Sequence, residues 1–271
     1  MKKTIVCISL LALTLSMGIA EAEVPPNQVY YKNQGYPQLV QANKDLANSL
    51  SQEINQDDKK RYLDIATFFI AQVLKKHPDY IAMYAKNFSM LSFYEKAIFL
   101  RGIRSAGIKH ELLSSISDKK MMELVNDPDL ITLSDLSHLQ PKEGGDLDFF
   151  WVSFFATGDE IYIRKIVEIL NRDDEILFVA YEWLNREQMA EMLSSLGEKT
   201  SPNYSDLQKH IEMQSKKRKD YRSQVSIGVA ALWSLDANAR QDPTIAQIIQ
   251  KIIKDDPSLD YWKKITKALK S

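Results

Sequence analysis

Residues 242–255 read DPTIAQIIQKIIKD. Ile245, Ile248, Ile249, Ile252 and Ile253 recur at steps of three and four, which gathers them into one apolar stripe along a short helix. Asp242 places a side-chain oxygen ahead of Pro243. Proline suits the first helical position because the N–H it lacks would have no partner there. The stretch therefore predicts a capped, amphipathic helix.

The same period runs through most of the chain. Tyr62, Ile65, Ala66, Phe69 and Val73 follow it, as do Tyr80, Ile81, Tyr84, Ala85 and Phe88. The breaks between such runs carry helix-start chemistry. Asp256-Pro257 repeats the Asp-Pro cap, Asp127-Pro128 opens a helix or a turn, and His77-Pro78 marks a restart. Ser92 and Glu95 have capping-box spacing. Gly158 is placed to close one helix in the left-handed conformation, and Asp159 to cap the next. No run alternates strictly between hairpin turn signals. The expectation is an all-α chain, either stacked antiparallel helical hairpins (α-solenoid-like) or an irregular helical bundle.

Two segments align without gaps. Trp151, Ile163, Ile166, Val167 and Leu170 match Trp233, Ile245, Ile248, Ile249 and Ile252 at a constant offset, and a looser copy starts near Phe68. At this level the chain resembles the helical-hairpin repeat proteins, HEAT-like or tetratricopeptide-like. The resemblance covers Asp57 to the end and implies architecture only: a stack in which no hairpin buries its apolar face alone. The Trp, Leu-Gly and Tyr pattern of the tetratricopeptide repeat is absent.

The beginning of the chain reads as an export signal over residues 1–22. Lys2 and Lys3 precede an apolar run from Ile5 to Met17, and Ala20-Glu21-Ala22 supplies a small-x-small cleavage pattern. Cleavage after Ala22 predicts a periplasmic or secreted protein beginning at Glu23. The single cysteine, Cys7, would leave with the signal, so packing alone must hold the fold. Residues 23–37, with three prolines and a glycine, read as an extended arm that Tyr30, Tyr31 and Tyr36 help to dock. Helical halves are expected over 38–126 and 147–271, joined by a loop over 127–146. The formal net charge of −1 argues against nucleic acid as a partner.

Catalytic chemistry finds little foothold. His77, His110, His138 and His210 are widely spaced and form no H-E-x-x-H. Asp146, Asp148, Asp159 and Glu160 flank the aromatic run Phe149–Phe155, an arrangement that suits glycan hydrolysis; Asp146 and Asp148 also fall at a helix start, which favours a carboxylate, and Asp159 is placed as a cap. The Glu-Ser and Gly-Leu-Met-Gln stretches of lytic transglycosylases are missing, and Glu182, Glu187 and Glu191 have no such setting. No serine occupies a G-x-S-x-G elbow. No cofactor and no metal is expected.

Surfaces carry the remaining signal. Phe149, Phe150, Trp151, Phe154 and Phe155 crowd one helix on more than one face. Such a helix is either buried on several sides or opens aromatics into a groove. Lys216, Lys217, Arg218 and Lys219 run consecutively, with Arg222 close behind. Tyr261, Trp262, Ile265 and Leu269 share one helix with Lys263, Lys264, Lys267 and Lys270, the form of a terminal cap or of an interfacial helix on an anionic membrane surface. The leading expectation is a non-enzymatic extracytoplasmic binding or scaffold protein for a protein or peptide of the cell envelope. Trp151, Phe154, Phe155, Trp233 and Trp262 are its contact residues, since aromatics dominate interface energetics. A cell-envelope hydrolase with distant carboxylates and a peripheral membrane factor are the alternatives.

Overall fold

The computed structural model describes residues 26–52, 55–195 and 203–269. The expected signal and cleavage site at 1–22 lie outside them. Among the described residues there are 14 α-helices and no strand. None of these helices is long and apolar enough to cross a membrane. The chain forms two compact units. One takes the described residues up to Gln140 together with Asp148–Asp159; the other takes Pro141–Leu147 and the chain from Glu160 onward.

The first unit contains α1 (Pro26–Asn33), α2 (Tyr36–Ser51), α3 (Gln56–Lys76), α4 (Asp79–Ala85), α5 (Phe93–Ser105), α6 (Glu111–Ser114), α7 (Lys119–Val125) and α8 (Asp148–Thr157). Helix α3 is its centre and packs against α2, α5 and α8. Being covered on several sides, it buries far more than one stripe. Ile65, Ala66, Phe68, Phe69, Ile70, Ala71, Val73 and Leu74 are all sealed from solvent. The capping box at Ser92 and Glu95 is present at the start of α5. At Asp127, the side chain accepts from the Asp129 N–H at 3.0 Å, so this Asp-Pro opens a turn and not a helix.

Residues 23–37 are not an extended arm where they are described. Pro26 opens α1, Tyr36 opens α2, and the proline-rich composition only marks helix starts. The helix is held by aromatic contacts. Tyr30 is fully buried with its ring 5.4 Å from that of Phe69, and Tyr31 lies 4.9 Å from Phe154.

The second unit contains α9 (Ile161–Leu170), α10 (Asp174–Ser195), α11 (Ser205–Lys217), α12 (Tyr221–Gln241), α13 (Pro243–Asp255) and α14 (Tyr261–Ala268). Here α12 is central, packed on α9, α10, α11 and α13, while α14 rests on α10. Close approach is possible because the helices carry small residues. A Cβ on Gly228 of α12 would stand 3.1 Å from the Cβ of Ala180 on α10. Asp242 caps α13 through the Thr244 N–H at 2.9 Å, and Ile245, Ile248, Ile249 and Ile252 are buried as a stripe.

The two units divide the chain differently from the halves expected at 126 and 147. Helix α8 follows the connecting segment, yet it packs with α1 and α3 of the first unit. The correspondence between Trp151 and Trp233 therefore crosses the unit boundary in its first copy and lies within one unit in its second. Helices α12 and α13 pack together as a hairpin, whereas α8 and α9 belong to different units. Gly158 does adopt the left-handed conformation after α8, at φ 75°. The N-cap of α9 is Glu160, not Asp159, and its side chain makes no capping bond.

Candidate functional site

The five aromatic residues expected at a partner surface divide sharply by burial. Trp151, Phe154 and Phe155 are core residues of α8. Every residue from Asp148 to Ala156 is buried, because α8 is covered by α1 and α3. They offer no surface to a partner, and the aromatic crowding reports burial on several sides. Trp233 is half-buried on α12. Trp262 is 47% exposed on α14, where Tyr261 and Ile265 turn inward instead.

The carboxylates considered for glycan chemistry are engaged structurally. Asp146 accepts from the backbone N–H groups of Lys142 and Glu143, at 2.7 and 3.2 Å. Glu160 pairs with Lys251 at 2.7 Å. Asp148 is buried in α8. Glu182 lies 3.8 Å from Arg186, and Glu187 accepts from the Trp183 indole N–H at 3.2 Å. The side chain of Glu191 lies outside the described ones. Among the histidines, His77 ends α3 and stacks on Tyr80, and His110 caps α6 by accepting from the Leu112 N–H at 3.3 Å. His138 closes a 3-10 turn, Asp135–His138. Among the described residues, no group of three or more His, Cys, Asp or Glu is placed to hold a metal ion.

Two clusters of ionisable side chains stand out, one in each unit. In the first, the buried Arg101 faces Asp64, Thr67, Asp127 and the Leu124 carbonyl. Burial pushes the Asp64 carboxyl up to about 6, although Arg101 and Lys60 pull it the other way. In the second, His210 Nε2 lies 3.0 Å from Glu175 and 3.3 Å from the Tyr221 hydroxyl. The Arg218 guanidinium pairs with Asp173 at 2.8 Å and sits over the Tyr221 ring. Burial, reinforced by Glu175 and Asp173, raises the Tyr221 hydroxyl to about 12. Both clusters tie helices together.

One half-open apolar surface of the first unit was not legible in the sequence. At the α5–α6–α7 end of the first unit, a small buried nucleus of Ala97, Leu100, Met121 and Val125 is only partly roofed. Phe88, Phe93, Leu112, Leu113, Ile116 and Leu124 pack on it while remaining half-exposed. Met90, in the same 3-10 turn as Phe88, is 82% exposed, and Met122 on α7 is 43% exposed. Lysines hover over the rings: Lys96 Nζ is 5.9 Å from the Phe88 centroid and Lys120 Nζ is 5.2 Å from that of Phe93. The short α6 and α7, of four and seven residues, cannot cover so much apolar area. The residues come from four separate stretches, so no single stretch announces the surface.

Comparison with protein-family models, curated proteins and solved structures finds no match for this chain.

Proposed function

We propose that this chain is a non-enzymatic binding protein of the cell envelope, built from helical hairpins of the repeat kind and exported by its N-terminal signal. Its partner is an amphipathic segment of another protein, with apolar residues on one helical face and acidic residues beside them. The observation that carries this reading is the half-open cluster of Phe88, Phe93, Leu112, Leu113 and Ile116, with the exposed Met90 in the same turn as Phe88 and the exposed Met122 next to Met121 on α7. Methionine is unbranched and polarisable, and it adapts to varied apolar partners. An amphipathic helix laid on such a surface buries its own apolar face there. Lys96 and Lys120, held over aromatic rings in the free protein, are placed to meet the partner's carboxylates. The engagement of Asp146, Glu160 and Glu187 in caps and pairs supports a binding role over a hydrolytic one. The hairpin of α12 on α13 supports the repeat-like architecture.

A peptide-display selection on the mature protein tests the proposal. Enriched peptides should carry apolar residues at three- and four-residue steps with acids alongside. They should bind Met90→Asp with Met122→Asp about thirty-fold more weakly, the loss expected when two apolar contacts of ~1 kcal/mol each are removed. Both sites are exposed, so the double variant should fold. Peptides that bind the double variant as well as the wild type would refute this surface.

A further inference from the structure

We propose that the second unit carries a separate docking face for an anionic lipid surface, assembled from two basic elements that are far apart in sequence. The assembly point is the acidic triplet Asp173-Asp174-Glu175 at the start of α10. Asp173 takes Arg218 of the α11–α12 turn at 2.8 Å, Asp174 takes Lys264 of α14 at 2.9 Å, and Glu175 takes His210 of α11 at 3.0 Å. Asp173 also accepts from the N–H groups of Glu175 and Ile176, at 3.0 and 3.1 Å. Three consecutive acids thus anchor both basic elements to one helix end. The anchoring consumes one cation from each element and leaves the others facing water. Lys216, Lys217, Lys219 and Arg222 are exposed on one flank, and Lys263 and Lys267 on the other.

The chemistry between those cations points to lipid. Residues 209–222 hold six Lys and Arg against two acids, and residues 261–269 hold three lysines and no acid. Three apolar side chains protrude among them: Met213 on α11, and Trp262 and Leu269 on and just after α14. Single apolar tips set among exposed cations suit a headgroup layer. There an exposed indole settles at the interface, and each nearby lysine adds attraction. An acidic protein segment would instead favour a continuous apolar patch to anchor on, and that feature belongs to the other unit. The proposal is independent of the peptide-binding reading and stands or falls without it.

Sedimentation of the mature protein with vesicles decides the matter, using phosphatidylcholine alone and phosphatidylcholine mixed with phosphatidylglycerol. Binding should require the anionic lipid and fade as salt rises, since a few ångströms of screening length remain at high ionic strength. Lys263→Gln with Lys267→Gln should weaken it about thirty-fold, the loss expected for two lysines near a charged surface. Lys216→Gln with Lys217→Gln should do the same, and Trp262→Ser should weaken binding with the charge unchanged. Failure of the wild type to bind anionic vesicles at low salt would overturn the proposal. So would indifference to both lysine pairs, or equal binding to poly-glutamate in solution with Trp262 left accessible to a quencher.

Discussion

The guanidinium of Arg101 on α5 is sealed from solvent, at 1% exposure, and pairs with the carboxylate of Asp64 on α3. Its other nitrogens reach Thr67 Oγ1 at 3.1 Å and the Leu124 carbonyl of α7, so one side chain fastens three helices. Removing it strands a largely buried carboxylate. Arg101→Ala should therefore destabilise the first unit by about 3–5 kcal/mol in urea unfolding. A loss below ~1 kcal/mol would mean that the cluster is ornamental.

The same pair sets a pH dependence. Burial holds the Asp64 carboxyl at about 6 in the fold, above its ordinary value of 3.8. The native state therefore binds the proton more tightly than the unfolded chain. The stabilising contribution of Asp64 is complete below about 4 and is lost as pH rises through about 6. Asp64→Asn abolishes this dependence. Across pH 4 to 6, the urea midpoint of the variant should accordingly rise relative to that of the wild type. A constant difference between the two would contradict the assignment.

Tyr30 tests the docking of α1. Its ring packs on Phe69, but its hydroxyl is buried with no hydrogen-bond partner among the described residues. An unsatisfied buried hydroxyl costs ~1–3 kcal/mol. Tyr30→Phe keeps the ring and removes the hydroxyl, so it should raise the thermal midpoint. Tyr30→Ala should lower it, by the loss of a buried aromatic, ~3–5 kcal/mol. A fall in midpoint for the phenylalanine variant would show that the hydroxyl is bonded.

Helix spacing gives a further comparison. A Cβ on Gly102 of α5 would stand 2.7 Å from Ile70 Cγ2 and 3.4 Å from the Ala71 backbone nitrogen of α3. Alanine there gains helix propensity, ~1 kcal/mol, but overpacks the α3–α5 contact by ~1–3 kcal/mol. Gly102→Ala should destabilise on balance. Gly228→Ala, whose nearest contact is 3.1 Å, should come close to neutral. The reverse order in thermal melts would contradict the packing described.

What could be read in advance follows from the range of the forces involved. The helical period and the caps at Ser92 and Asp242 act within one turn, so their residues alone reveal them. The left-handed Gly158 belongs to the same class. Burial is not local. Trp151 and Trp262 both sit on helices rich in aromatic and apolar residues, yet α1 and α3 cover the first, while only one side of α14 meets α10. The prolines of 23–37 obscured α1 because its stability comes from Phe69 and Phe154, distant along the chain. The surface around Phe88 and Leu113 exists only where four stretches meet, and the acidic triplet at Asp173 gains its meaning only from Arg218 and Lys264.

The most direct test of the proposed binding role uses the methionines as reporters. Methyl-labelled methionine spectra would be recorded on the chain from Glu23 onward as an amphipathic peptide is added, with leucines at three- and four-residue steps and glutamates beside them. The Met90 and Met122 methyl signals should move while Met213, on the basic α11, stays in place. Unmoved Met90 and Met122 signals, or a response confined to Met213, would contradict it.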